Sequence, residues 1–304
     1  MKIPPIEVIG SWPKPNYIDP ESRAPIGKAI GPTLLALVTV ILAIRLYSRK
    51  RLTKGFGLDD TFICLAYLPA TAFTIAGVIT QENFQWARHI WDVEPKFYSP
   101  NLLIMLIHFF LFDLSTSLTK LSMLAMVRRL TAVSSNKREN TVVLILAALI
   151  TVNCFIFIVV EIFQCWYASS FVTTNITDKL TKHRPIPSAW MLSEASGHCI
   201  DEKAHLMAAN IINTATDFTV VLLPIRTAMN IQLSSRQRVI VAGLFGIGLI
   251  GSSIGIARTY FTRLLLHAAD YDITWRSWYV WLSSLVELHI GIVSALHAFE
   301  LKIH

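Results

Sequence analysis

The chain has 304 residues, of which 53% are hydrophobic and 15% are charged, and its net charge is +7. Soluble domains carry about 25% charged residues, so this composition excludes an ordinary soluble globule as well as a disordered chain. No nucleic-acid-binding motif accompanies the positive charge, and we expect no nucleic-acid partner.

The first 28 residues differ in character from the rest of the chain. They contain six prolines and lack the apolar core of a signal peptide. We therefore expect residues 1–28 to form a short, extended tail outside the membrane.

Seven apolar segments follow, and each is long enough to cross a bilayer as a helix. They cover residues 29–47, 59–80, 99–127, 141–164, 205–228, 239–267 and 276–299. The sequence therefore predicts an all-α, multi-pass membrane protein, with one seven-transmembrane-helix bundle over residues 29–299 and a short tail at 300–304. Several glycines in the sixth segment, between 243 and 255, predict close helix packing.

The basic residues predict the orientation of the bundle. They are concentrated in three short connections, at 49–54, 128–138 and 236–238, and connections rich in Lys and Arg face the cytosol. The N-terminus should then be outside or lumenal and the C-terminus cytosolic. The sequence does not distinguish the endoplasmic reticulum from the plasma membrane.

The long connection at 165–204 should then lie in an oxidising compartment. It contains a glycosylation sequon at Asn175 and is bracketed by Cys165 and Cys199. We expect a glycan at Asn175 and a disulfide between the two cysteines.

Three carboxylates lie near the predicted bilayer midplane, namely Asp113, Asp217 and Glu287. Ionisable groups inside a membrane are expensive and face the bundle interior, so these three are the predicted catalytic residues. An interhelical network of hydrogen bonds and salt bridges is the alternative interpretation. The basic and amide side chains that accompany them, as pocket residues or counter-charges, are Arg258, Lys120, Asn210 and Asn213.

His89 and Asp92 lie in the connection after the second span, close to Trp86 and Trp91. Their spacing suits a metal ligand pair or a proton relay, whereas tryptophans at this depth are also typical of an interfacial belt. The sequence contains no HExxH motif and no CxxC pair, and we expect no metal.

Short elements along the chain carry a family resemblance. They include Arg45 and Arg49 ahead of Gly57-Leu58-Asp59-Asp60, then His89-Ile90-Trp91-Asp92-Val93, Phe163-Gln164-Cys165, Gly197-His198-Cys199-Ile200 and Leu222-Leu223-Pro224. With these elements, in this order, the chain resembles the fungal rhodopsin-like domain family of seven-helix integral membrane proteins, over about residues 30–297. The family includes the satratoxin-cluster-type membrane proteins of secondary metabolism and others likened to receptors.

The resemblance implies the fold more firmly than the chemistry. Rhodopsins bind retinal through a lysine in the last helix, and residues 276–299 contain no lysine. We expect a protein of secondary-metabolite biosynthesis that acts on an apolar small molecule from the lipid bilayer. It would be a cyclase, isomerase or hydrolase that uses Asp217 or Glu287 as an acid without a cofactor, or an accessory protein to such a pathway.

A receptor-like sensor without retinal, signalling through its cytosolic loops, is the alternative. A transporter ranks third, because the sequence shows no inverted repeat. The sequence leaves open whether the protein is an enzyme and names no protein partner.

Overall fold

The structure is a computed structural model that describes residues 5–53, 56–134, 137–163, 165–166, 198–199, 201–229 and 235–297. Most of these residues are helical. The helices are α1 (Ile6–Ser11), α2 (Ala24–Ser48), α3 (Leu58–Asn83), α4 (Tyr98–Ser134), α5 (Lys137–Phe163), α6 (Glu202–Met229), α7 (Ser235–Leu266) and α8 (Ile273–His297). A short strand, β1 (Cys165–Trp166), pairs antiparallel with β2 (His198–Cys199).

Six of the long helices are apolar and long enough over their described residues to cross a membrane. These spans are Ala24–Arg51, Leu58–Asn83, Pro95–Arg129, Lys137–Phe163, Lys203–Leu223 and Ile273–Leu296. Each coincides with a predicted span, so the prediction of an all-helical, multi-pass membrane protein is confirmed. The remaining long helix, α7, lies at the predicted sixth span and packs against α6 and α8.

The helices begin at residues that favour a helix start. The first long helix, α2, begins at Ala24 rather than at residue 29, because Pro25 in its first turn already has the helical φ angle. The next, α3, follows Gly57, whose N–H donates to the Asp60 carboxylate at 3.2 Å. This bond satisfies one of the donors that a helix N-terminus leaves open.

The N-terminal tail differs from the expected extended segment, since Ile6–Ser11 forms α1. Residues 12–23 then contact the connections 84–97 and 267–275. We call these three segments together the cap. Trp12 Nε1 donates to the Asp270 carbonyl at 2.9 Å, and the Asn16 N–H donates to Asp92 Oδ1 at 2.8 Å. These bonds tie the tail to one end of the bundle.

The helix faces separate a packed interior from a lipid-facing surface. The most enclosed span is α8, and apolar clusters surround it at both ends of the bundle. In contrast, α5 exposes Leu149, Val152 and Phe155, as expected for a helix whose outer face meets lipid.

Glycines let the last two helices approach each other and their neighbours. A Cβ at Gly251 would lie 3.2 Å from Ile290 of α8, and a Cβ at Gly255 would lie 3.0 Å from Thr214 of α6. The predicted close packing of the glycine-rich span is confirmed at these positions.

Candidate functional site

A cavity of about 100 Å³ lies among α3 to α8, in the half of the bundle that carries the cap. We call it the cap-side cavity. Its volume is about two thirds of the roughly 150 Å³ of an engineered apolar cavity that takes up benzene. Its apolar wall includes Phe73, Trp86, Met105, Phe109, Phe112, Phe157 and Leu206.

Three side chains of this wall each have a buried polar atom with no hydrogen-bond partner among the described residues. The atoms are Asp113 Oδ2, Glu161 Oε2 and Trp281 Nε1. Such atoms are uncommon in native proteins. Three of them around one cavity make it the candidate site of this bundle.

Two of the three are carboxyl groups, from neighbouring helices. Asp113 on α4 lies beside the Cys154 thiol of α5, which also neighbours Ser117. Glu161, two turns further along α5, lies close enough to Asp113 for the two carboxyls to interact electrostatically. The cavity thus has a carboxyl pair on its α4–α5 side.

A layer of charged side chains separates this cavity from a second one, and we call it the charged layer. Lys120 Nζ lies 3.1 Å from Asp217 Oδ1 and donates to Asn213 Oδ1 at 2.8 Å. Arg258 donates to both oxygens of Glu287, at 2.8 and 3.2 Å. Asn213 joins the two ion pairs, because its amide donates to Asp217 at 3.1 Å and to Glu287 at 2.9 Å.

The charged layer is electrically balanced and holds four helices together. Arg258 also donates to Asn210, whose amide in turn donates to Thr262 Oγ1 at 3.0 Å. Below the layer, the second cavity has about 40 Å³, enough for a few water molecules. Its hydroxyl-bearing wall residues are Thr116, Thr119, Ser252 and Ser294.

The predicted residues of the spans therefore fall into two groups. Asp113 lines the cap-side cavity, whereas Asp217 and Glu287 lie in the charged layer, each paired with a basic side chain. The predicted counter-charges are thus assigned, with Lys120 to Asp217 and Arg258 to Glu287. The predicted companions Asn210 and Asn213 belong to the same layer.

His89 and Asp92 lie in the cap and do not contact each other in any described hydrogen bond. His89 Nδ1 is 2.5 Å from Asp272 Oδ2, and its ring is stacked between Trp91 and Trp275, with centroids 4.6 and 4.1 Å away. Burial raises the pKa of Asp272 above its ordinary value, although the hydrogen bond from His89 lowers it in part. This arrangement ties the connection after α3 to the start of α8.

A second ionic cluster, which we call the Arg45 cluster, lies at the opposite end of the bundle from the cap. Arg45 donates to Asp59 at 3.0 Å and to Asp60 at 2.9 Å, and Arg49 donates to Asp59 at 2.9 Å. Arg45 also donates to the carbonyl of Leu296, in the last turn of α8, at 2.7 Å. The cluster fastens α2, α3 and α8 together and has no contact with either cavity.

The backbones of Cys165 and Cys199 are direct partners in the β1–β2 pair. Directly opposite residues of antiparallel strands have Cα atoms about 4.5–5.5 Å apart, within the range that a disulfide spans. The disulfide stays a prediction. Asn175 lies outside the described residues.

The sequence-based candidates did not include Glu161, Trp281 or Asp272. Glu161 had a usable signal, because a carboxylate within a span is a functional candidate by default. The Trp281 indole of α8 fits against α3 only because the facing residue is Gly77, where a Cβ would overlap the indole. Asp272 and His89 are 183 residues apart in the chain, so no local pattern links them.

Comparisons with known proteins agree with this architecture. A protein of Talaromyces wortmannii named Wortmanamides biosynthesis cluster protein C is 26% identical over 231 residues, which cover 74% of this chain and 58% of that protein. A SAT4 family membrane protein of Emericella nidulans is 28% identical over 93 residues, which cover 31% of this chain and 24% of that protein. The chain therefore spans little more than half the length of the first relative and about a quarter of the second.

The sequence model described as the fungal rhodopsin domain matches residues 44–298, which include every helix from the end of α2 to α8. The chain thus belongs to the fungal rhodopsin domain family of multi-pass membrane proteins.

Proposed function

We propose that this protein binds an apolar small molecule of fungal secondary metabolism in the cap-side cavity and transfers protons to and from it through Asp113 and Glu161. The observation that carries the proposal is the pair of carboxyl oxygens that lack partners in a mainly apolar cavity. The relative whose name assigns it to a biosynthesis cluster supports the metabolic part.

The carboxyl pair suits an acid–base reaction that needs no external cofactor. One carboxyl, in its protonated form, donates a proton to a carbonyl, epoxide or alkene of the substrate. The other, as a carboxylate, removes a proton from a neighbouring carbon, so the substrate is cyclised or isomerised without a change in oxidation state. Carboxyl groups in apolar sites serve as general acids in this way.

In this proposal, Asp217 and Glu287 have a positioning role instead of the catalytic role that the sequence suggested. Both are held in ion pairs by Lys120 and Arg258, so their oxygens are engaged within the charged layer. Arg258 and Asn213 belong to the charged layer and also line the cap-side cavity. The layer therefore shapes the end of the cavity that the substrate would reach.

We also propose that all seven long helices cross the membrane, with the N-terminus outside. The cap supports this count, because Arg23 before α2 stacks on Trp275 in the first turn of α8, 3.5 Å from the ring centroid. Since α2 and α8 begin at the same end, the chain from the start of α2 to the start of α8 crosses an even number of times. The helices α2 to α6 account for five crossings, so α7 supplies the sixth. The glycan at Asn175 and the disulfide between Cys165 and Cys199 belong to this topology.

The test is complementation of a deletion strain. Asp113→Asn and Glu161→Gln keep the shape of the side chains but remove the titratable proton, and we expect each to lose complementation while expression and thermal stability stay near wild type. Glu139→Gln, on the same helix as Glu161 but outside the cavity wall, should complement fully. The deletion strain should accumulate a precursor that is not cyclised or isomerised.

Full complementation by both amide variants would show that the proton-transfer proposal is wrong. A deletion that changes transcript levels without any precursor accumulating would favour the receptor-like alternative.

A further inference from the structure

The seam between α5 and α6 is the most sparsely packed boundary of the cap-side cavity. Within the described residues these helices share few contacts, whereas α4 with α5 and α6 with α7 pack extensively. Both helices of the seam contribute to the cavity wall, through Phe157 and Glu161 on one side and Leu206 and Ala209 on the other. The seam therefore lies between the cavity and the surrounding lipid.

One aromatic contact bridges the seam at the level of the cavity. The rings of Phe157 and His205 are tilted against each other, with centroids 5.5 Å apart. Neighbouring side chains on both helices, such as Ile162 and Ile211, are apolar and exposed, so they meet the acyl chains of a bilayer.

The cap makes access from the aqueous phase less direct. Trp86 forms part of the cavity wall and is 8% exposed, and the adjacent Ala87 is fully buried. The Arg23 N–H bonds to the Ala87 carbonyl at 3.1 Å, which holds the N-terminal segment over this connection. On the α3–α8 side, the cavity is thus covered by packed side chains.

We propose that the α5–α6 seam, closed by Phe157 and His205, is the route by which a lipophilic molecule dissolved in the bilayer reaches the cap-side cavity. The inference rests on the proposed function and narrows its substrate class to molecules that partition into membranes. A polar substrate delivered from water would have no use for this route.

The experiment closes the seam reversibly. Phe157→Cys and His205→Cys are combined in a chain whose Cys64 and Cys154 are replaced by alanine, and a short bifunctional methanethiosulfonate reagent links the new cysteines. The matched control links Phe261→Cys on α7 to Tyr279→Cys on α8, whose native rings are 5.3 Å apart across a densely packed seam. Size-exclusion chromatography checks that both proteins are folded.

The probe is a short-chain dialkyl diazirine, a lipophilic photolabel smaller than benzene, added to proteoliposomes and activated after a short incubation. We expect label at Phe112 and Trp281 to fall at least tenfold when the α5–α6 link is formed and to recover when it is reduced. The α7–α8 link should change the labelling less than twofold.

Equal labelling with the α5–α6 link open and closed would overturn the seam as the route, while cavity labelling itself would still support the proposed binding site. Absence of cavity label in every protein, with the links open as well as closed, would overturn the proposed function and the route together.

Discussion

At the scale of single residues, the side chains of the charged layer are organised so that each charge has a partner of opposite sign. Glu287 is 5% exposed and receives hydrogen bonds from Arg258 and Asn213. Arg258 also lies over the Phe112 ring, 4.4 Å from its centroid. A change at one of these residues therefore acts through the others.

We predict that Glu287→Gln destabilises the protein by about 3–5 kcal/mol, because it leaves the Arg258 charge buried without its counter-charge. Adding Arg258→Met to the same chain should recover a large part of this loss. Thermal unfolding in detergent measures both variants. If Glu287→Gln alone is as stable as the wild type, the ion pair between Glu287 and Arg258 is contradicted.

In the cap, His89 is stacked between Trp91 and Trp275 and bonds to Asp272, and this bond leads to a pH-dependent prediction. Burial raises the pKa of Asp272, so folding favours its protonated form, and its contribution to stability decreases as the pH rises from its ordinary value near 3.8. His89→Ala removes the hydrogen bond that lowers this pKa in part, so the pKa of Asp272 in the folded variant is higher than in the wild type. The variant therefore continues to lose stability up to a higher pH than the wild type does.

We therefore expect His89→Ala to be more destabilising at pH 7 than at pH 4.5, with a penalty at pH 7 of about 2 kcal/mol from the lost stacking and hydrogen bonding. His89→Phe keeps an aromatic ring between Trp91 and Trp275 and should recover only the stacking part. Thermal unfolding at the two pH values provides the measurement. An equal penalty at both would show that the bond to Asp272 has no role in stability.

At the scale of helices, the approach of α3 to α8 depends on a glycine. The Trp281 indole of α8 occupies the place where a side chain at Gly77 would lie. The neighbouring pair Trp278 and Gln81 adds a hydrogen bond of 3.0 Å between the same helices. The wall of the cap-side cavity is therefore set by how closely these two helices pack.

We predict that Gly77→Ala destabilises the protein by about 1–3 kcal/mol, since the indole of Trp281 must move in a packed core. Gly31→Ala is the matched control, because its Cβ would meet Val78 and Thr74 at 3.3 and 3.4 Å, where small shifts suffice. The gain in helix propensity should make this control neutral or slightly stabilising. Similar unfolding temperatures for the two variants would contradict the close approach at Gly77.

At the scale of the whole molecule, the cap and the Arg45 cluster occupy opposite ends of the bundle. The cap contains the N-terminal segment, whereas the Arg45 cluster lies near the basic connection that starts at 49. The predicted orientation places the cap outside and the cluster at the cytosolic surface.

We predict that a cysteine introduced at Ser135 reacts with a membrane-impermeant maleimide only after intact cells are permeabilised, because the predicted orientation places the 128–138 connection in the cytosol. A cysteine at Tyr17, an exposed residue of the cap, should react from outside without permeabilisation. The opposite labelling pattern would reverse the orientation.

The sequence by itself determined the properties that depend on local composition. A run of about 20 apolar residues forms a helix in lipid, since a single segment can satisfy its backbone hydrogen bonds internally only as a helix. The six long apolar helices follow from this rule. The depth of Asp113, Asp217 and Glu287 follows from counting residues along each helix, and the charge of the connections leads to the expected orientation.

The tertiary structure decided which of these groups meet. The rotation of each helix about its axis determines that Lys120 pairs with Asp217, whereas Asp113 lines the cavity with Glu161. That rotation results from packing across the whole bundle, as at Gly77 and Trp281. His89 meets Asp272 only when the second and last spans have come together. Such contacts depend on side chains far apart in the chain, so no sequence period or spacing contains them.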